Sequence, residues 1–251
     1  MRHALVFVLL TGCTITEPTP MPTPTTKPLD SYFQGKPELP WQAIGSSVKN
    51  RKIYQIAFGE GKNTTLIFGG FHGDERTAVR VTLNLCHWLA EENRIPEGHR
   101  VVIIPILNPD GYLLRTRENA NKVDLNRNFP TEDWGDHSIR KKDNPGGHGA
   151  SEPEARLAMV LVEEIQPDKI ISVHEPFKVN NYDNIEGKPL AEAMAEHNGY
   201  PVKGDIGYPT PGSFGTWAGI EKKIPMVTLE IESGAHAWNK NREALFAAIE
   251  H

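Results

Sequence analysis

Cysteine is nearly absent: Cys13 and Cys86 are the two in a chain of 251 residues. That excludes the disulfide framework of a small secreted scaffold. Long apolar runs are missing as well. The longest, residues 4–10, is seven residues, far short of the roughly 18–20 that span a bilayer. Basic charge is not in surplus, since 27 Lys and Arg against 32 Asp and Glu leave a formal net charge of −5. Duplex nucleic acid, which requires a basic face, is therefore excluded as a partner. What remains, 38% hydrophobic and 24% charged residues, is the composition of a soluble globular chain. Its length suits one large domain with ample core, or two small ones, and no internal repeat divides it.

The first 28 residues read as address and tether. Met1-Arg2-His3 is a short basic start, residues 4–10 are apolar, and Leu10-Thr11-Gly12-Cys13 follows. This is the order of an export signal, and its ending resembles a bacterial lipobox in which Cys13 becomes the lipidated first residue. Residues 14–28 hold five prolines and six threonines, a composition that favours extended polyproline II over a packed core. At ~3.1 Å per residue this linker would reach about 45 Å. The expected organisation is a lipoprotein signal peptide over 1–12, a lipidated Cys13 and Thr/Pro-rich linker over 13–28, and one catalytic domain over 29–251. The expected location is the bacterial envelope, anchored and facing the periplasm, with the outer membrane preferred because Thr14 rather than aspartate follows Cys13.

From about residue 40 onward, β-rich apolar runs alternate with helical patterns. Residues 53–58, 65–68, 101–107, 169–173 and 226–231 read as strands, several of them continuous apolar runs of the kind buried on both faces. Residues 77–92, 152–165, 189–198 and 241–249 read as helices. Ser151-Glu152-Pro153-Glu154 has the spacing of a capping box with proline in the first turn. The expected fold is α/β: a single domain with a mostly parallel, mixed sheet flanked by helices.

Ligand sites in such sheets lie at the carboxyl ends of the strands, and polar residues concentrate there. One strand runs into Gly69-Gly70-Phe71-His72-Gly73-Asp74-Glu75, another into Asn108-Pro109-Asp110-Gly111, a third into His174-Glu175-Pro176, and the last carries Glu230. His72 and Glu75, three apart in a glycine-rich loop, allow an imidazole and a carboxylate to converge on one ion, and His174 adds a third ligand from a distance. Two histidines and a glutamate with an open position form the ligand set of a catalytic zinc site. On spacing alone the alternative is a turn-capping histidine beside a surface glutamate. Nucleophilic chemistry finds no support: Cys86 lies in an apolar helical pattern, and Ser213 lacks the strand-elbow-helix context.

The succession Gly70-Phe71-His72-Gly73-Asp74-Glu75, Asn108-Pro109-Asp110-Gly111, Val123-Asp124-Leu125-Asn126-Arg127-Asn128-Phe129, Val173-His174 and Leu229-Glu230-Ile231 resembles the zinc carboxypeptidase family in order and spacing. Residues 207–217, 120–130 and 151–154 resemble, within it, the murein tripeptide amidases, which cut γ-D-glutamyl-meso-diaminopimelate in peptidoglycan peptides. The resemblance implies one zinc ion per chain on His72, Glu75 and His174, with Glu230 as general base. A strand-end Glu230 paired with Lys222 or Lys223 is the alternative, and Glu232 ranks below it. The resemblance further implies Arg117, or in another register Arg115, at the developing oxyanion, and Asn126 with Arg127 on the substrate carboxylate. It places Asp124 behind a zinc histidine, Tyr208 over the substrate and Gly215 at the floor of the side-chain pocket. His236 is a second candidate for substrate contact. The implied partner is a peptidoglycan stem peptide, with membrane contact only through the lipid, in a monomer or dimer. Rival activities are an N-acyl amino acid deacylase, a general metallocarboxypeptidase and, without catalysis, a peptidoglycan-binding protein.

Overall fold

A computed structural model describes residues 39–92, 94–135 and 143–251. The signal sequence, Cys13 and the Thr/Pro-rich linker lie outside the described residues. Eight strands form one sheet in the order β1-β2-β4-β3-β5-β8-β6-β7. They are β1 Gln42–Ser46, β2 Lys52–Phe58, β3 Asn63–Gly69, β4 His99–Ile104, β5 Lys169–His174, β6 Val179–Tyr182, β7 Val202–Lys203 and β8 Met226–Glu230. Helices α1 Arg76–Glu92, α2 Pro109–Leu114, α3 Pro153–Ile165, α4 Lys188–Asn198 and α5 Ala237–Glu250 complete the fold with a π-helical segment, Gly215–Glu221.

The four central strands, β4-β3-β5-β8, are parallel throughout, and antiparallel pairings attach β2 to β4, β1 to β2 and β6 to β8. Continuous apolar runs follow from burial on both faces. Ile67, Ile103, Ile171, Val227 and Leu229 pack with residues of α1, α4 and α5. Their strand neighbours Leu66, Phe68, Val102, Ile104, Ile170 and Met226 pack with α3 and the π-helical segment. The chain passes from β3 to β4 on one side and from β4 crosses back to β5 on the other side of β3, so a switch point lies between β3 and β5. The loops at their carboxyl ends diverge there and open a crevice.

Four expectations differ from what is found. The strand expected over 101–107 ends at Ile104, before Pro105, which has no N–H to extend a ladder. Asn108-Pro109, where no helix is among the expected ones, starts α2, with Asn108 Oδ1 accepting the Gly111 N–H at 2.8 Å. Strands β1, β6 and β7 are additional; they are short, peripheral and rich in polar residues, and so carry little propensity signal. The capping box does not form. Glu152 takes the N-cap position without a side-chain bond and Pro153 opens the helix. The Ser151 hydroxyl instead donates to Glu152 and accepts from Asn128. Glu154 turns to the Val48 N–H and the Asn119 amide.

Candidate metal centre and cleft

The loop after β3 brings His72 and Glu75 to the crevice. It can do so only without a side chain at position 73, where a Cβ would stand 1.9 Å from the Gly111 carbonyl carbon. His174 arrives as the last residue of β5, its ring stacked on Phe71 at a centroid distance of 5.6 Å. Phe71 rests in turn on Phe68, Phe129 and Phe214, a rigid apolar bed beneath polar groups.

His72 Nδ1 lies 2.6 Å from Glu75 Oε1, His174 Nδ1 lies 3.0 Å from Glu75 Oε2, and the two Nδ1 atoms face each other at 3.3 Å. All three side chains are buried. The far nitrogens are engaged elsewhere: His72 Nε2 meets Asp124 Oδ1 at 3.0 Å and His174 Nε2 meets Ser172 Oγ at 2.9 Å. Outer partners that fix the far nitrogens leave both Nδ1 lone pairs for one ion. Two imidazoles and a carboxylate converging in this way fit zinc.

Electrostatics makes the same demand for positive charge. Burial pulls the His72 imidazolium down, but the carboxylates of Glu75 and Asp124 outweigh it and raise its pKa to about 9. Burial alone would raise Glu75 and Asp124, yet the neighbouring imidazoles hold Glu75 far below the usual carboxylate range, and His72, Arg117 and Arg127 do so for Asp124. In the metal-free protein the His72 cation thus contributes stability below about pH 6.5 that is lost as pH rises through about 9, and the two carboxylates contribute stability lost in acid. Melting temperature without metal is expected to fall from pH 6.5 to 9. With zinc in place of the shared proton it is expected to hold over that interval. Thermal melts with and without chelator check this, and a flat metal-free profile would contradict it.

A cleft of about 860 Å³ opens over the triad. It is lined by His72, Glu75, His174, Arg117, Asn126, Arg127, Tyr208, Gly215 and Glu230, so the structure gathers residues from six separate segments of chain. Asp124 stands behind His72. Arg117 Nε donates to Asp124 Oδ2 at 2.8 Å, and its guanidinium lies 3.6 Å from Glu75 Oε1. Arg115 is the exposed, left-handed cap of α2 and does not line the cleft. Glu230 is the register partner of His174 across β5 and β8. Burial, with Glu75 adding to it, raises the Glu230 pKa against the pull of His174 and His72, and its Oε2 has no hydrogen-bond partner among the described residues. Lys222 pairs with Glu163 instead, while Glu232 accepts from the Tyr200 hydroxyl. His236 sits at the start of α5, outside the cleft.

Arg127 is 3% exposed and bonds to its neighbour's carbonyl, the Asn126 O, and stands 4.0 Å from Asp143. Asn126 Oδ1 accepts the Phe214 N–H at 2.9 Å, which leaves its amide donors for a ligand. The Tyr208 ring meets Phe177 edge-on at 6.3 Å. A Cβ on Gly215 would fall 2.1 Å from Asp183 Oδ1, so the room that glycine leaves is taken by a carboxylate. Asp183, Asn181 and Ser172 were not anticipated from the sequence. Asp183 and Asn181 sit in the polar run Val179-Asn180-Asn181-Tyr182-Asp183, which gives no sign of facing the site. Ser172 had a local signal: it stands two residues before His174 on a strand, hence on the same face.

The comparisons with known proteins agree with this geometry. A family model described as "Zinc carboxypeptidase" matches residues 29–186. Murein peptide amidase A of Vibrio campbellii is 32% identical over 212 residues, 79% of this chain and 82% of that protein. The crystal structure of the murein-tripeptide amidase of Escherichia coli O157 matches with a TM-score of 0.69 at 28% identity, covering 84% of this chain and 90% of that one. Bovine thrombin-activatable fibrinolysis inhibitor shares the fold, with a TM-score of 0.73 at 20% identity over 88% of this chain and 91% of that one. With the family model covering more than half of its length and the His72, Glu75 and His174 set in place, the chain belongs to the zinc carboxypeptidase family.

Proposed function

We propose that this zinc hydrolase cleaves the amide bond between γ-D-glutamate and meso-diaminopimelate in peptidoglycan peptides and releases free diaminopimelate. The observation that carries the reading is the 32% identity to a murein peptide amidase along most of both chains. His72, Glu75 and His174 would hold the ion, which supplies a Lewis acid and acidifies a bound water. Glu230, its ionisation poised upward by burial, takes the proton of the attacking water and returns it to the leaving amine. The Arg117 guanidinium, fixed by Asp124, faces the negative charge that develops on the carbonyl oxygen. Arg127 and the Asn126 amide grip the terminal carboxylate of the residue being released; a planar guanidinium suits that two-point contact. Tyr208 covers the substrate, and the part of the cleft floored by Gly215 and Asp183 takes the departing side chain.

A grip on a terminal carboxylate requires that carboxylate to be free. Full-length, zinc-loaded protein is expected to cleave L-Ala-γ-D-Glu-meso-diaminopimelate at least about 100-fold faster, in kcat/KM, than the same peptide with that carboxylate amidated, the size of a lost charge-assisted pair. Chromatography of released amino acid measures both. Equal rates would refute the carboxylate grip. Silence on both peptides with zinc bound would shift the reading to N-acyl amino acid deacylation.

A further inference from the structure

The Glu230 carboxylate is lightly restrained: it meets the Phe177 N–H, and its Oε2 has no hydrogen-bond partner among the described residues. Its direction therefore depends on how the end of β8 is held. Along a strand the N–H groups face the two edges in turn. Toward β5, the Ile231 N–H donates to the His174 carbonyl at 2.8 Å. Toward β6, the ladder ends where Val179 stands opposite Glu230, so the next N–H on that side, that of Glu232, has no strand to meet. The Tyr200 hydroxyl accepts that N–H at 3.3 Å and donates in return to Glu232 Oε2.

The hydroxyl is itself held from behind. It accepts the Asn241 amide at 3.2 Å, so its one donor and two acceptor sites are all used. Asn241 Oδ1 accepts the Asn198 amide at 3.1 Å, and Asn198 and Asn180 exchange amide bonds at 3.0 Å. Asn198 Oδ1 also accepts the Tyr200 N–H at 3.0 Å. The three asparagines are fully buried, and the Tyr200 ring packs among Leu190, Met194 and Leu245. A satisfied buried network of this kind is rigid. It runs from β6 through α4 and α5 and ends on the residue two places beyond Glu230. Tyr200 does not line the cleft, so it reaches the site only through that residue.

We propose that Tyr200 is a positioning residue for the general base. Its hydroxyl stands in for the strand partner that β8 lacks beyond Val179, fixes where the strand ends, and so sets the direction of the Glu230 carboxylate. The proposal rests on the reading of Glu230 as the base and adds the device that aims it. Glu232 acts as the handle: its backbone N–H and its carboxylate are gripped by one oxygen.

The test uses full-length, zinc-loaded protein and two substrates, L-Ala-γ-D-Glu-meso-diaminopimelate and hippuryl-L-lysine, with kcat, KM, zinc content and melting temperature measured for each variant. Tyr200→Phe keeps the packed ring and removes the hydroxyl. It is expected to lower kcat about 10- to 100-fold, the scale of a small misplacement of a reacting group, with KM and zinc content within about twofold. On the Glu230→Gln background the same change is expected to leave the residual kcat unaltered, since no base remains to be aimed. Glu232→Gln, which keeps the N–H and an acceptor for the hydroxyl, is expected to retain kcat within about threefold. Ile53→Val, a core change on β2, lowers the melting temperature and is expected to leave kcat unchanged, which separates aiming from stability. An unchanged kcat in Tyr200→Phe, an equal loss on the Glu230→Gln background, or a loss confined to KM or zinc would overturn the proposal. Should Tyr200→Phe fail to fold, Glu232→Ala is expected to lower kcat at least fivefold below Glu232→Gln, and equal rates would overturn it. Turnover of hippuryl-L-lysine alone by wild type would overturn the amidase reading, and the same ratios on that substrate would still decide the role of Tyr200. Full activity of Glu230→Gln, or no turnover of either substrate by wild type, would remove the base and overturn the proposal with it.

Discussion

With glutamine in place of Glu230, kcat on the diaminopimelate tripeptide is expected to fall by about a hundred- to ten-thousand-fold, the range for loss of a positioned general base. Zinc content and KM are expected to change little, because Glu230 is the cross-strand neighbour of the ligand His174 and not itself a member of the ligand set. Glutamine keeps the shape and an acceptor for the Phe177 N–H, the backbone group that favours the charged form of Glu230. What it removes is the capacity to carry a proton. Stability should move the other way. Burial raises the Glu230 pKa, so its ionised form is held at a cost near neutral pH, and a neutral side chain relieves that cost. A variant with lost turnover, intact zinc and an unchanged or higher melting temperature separates a general base from a structural carboxylate. A lower melting temperature with turnover retained would contradict the assignment.

Removing Arg117 is expected to have the second largest effect. Arg117→Ala should lower kcat by about a hundred- to a thousand-fold, the cost of one lost oxyanion donor. Burial works against the Arg117 cation, but Asp124 and Glu75 more than compensate and keep it charged. The same contacts mean that Arg117 also steadies Asp124 behind His72, so some loss of zinc affinity should accompany the variant. Arg117→Lys restores a charge without the fork that holds Asp124, and is expected to recover kcat more than zinc binding. Arg115→Ala, at the exposed cap of α2, should leave kcat/KM within about twofold, the ordinary consequence of a surface change. Steady-state kinetics with metal analysis on the three variants decides the matter. A larger loss for Arg115→Ala than for Arg117→Ala would reverse the assignment between the two arginines.

The sequence was legible where burial on both faces imposes a continuous apolar run, as in β3, β4, β5 and β8. It was legible again where polar residues interrupt such a run at a strand end, which made His72, Glu75 and His174 candidates that the likeness to the zinc carboxypeptidases then assigned. It was silent at the sheet edges. Val179-Asn180-Asn181-Tyr182 is a strand because β8 pairs with it, not because its residues prefer to be one. Asp183 was invisible for the same reason, since only that pairing carries it beneath Gly215. At Ser151 the local pattern was legible but misleading. A capping box requires the serine hydroxyl to turn back on the helix, and here Asn128 and Glu152 hold it. Tertiary hydrogen bonds there outweigh a local device worth about 1 kcal/mol.

The most direct measurement of the central claim is hydrolysis of L-Ala-γ-D-Glu-meso-diaminopimelate by zinc-loaded, full-length protein in heavy-oxygen water, read by mass spectrometry. Direct attack of water on the scissile carbonyl predicts one heavy oxygen in the new γ-carboxyl of L-Ala-D-Glu and none in the released diaminopimelate, with no reaction after zinc is removed. Heavy oxygen in any other product, or the same products without zinc, would contradict the account.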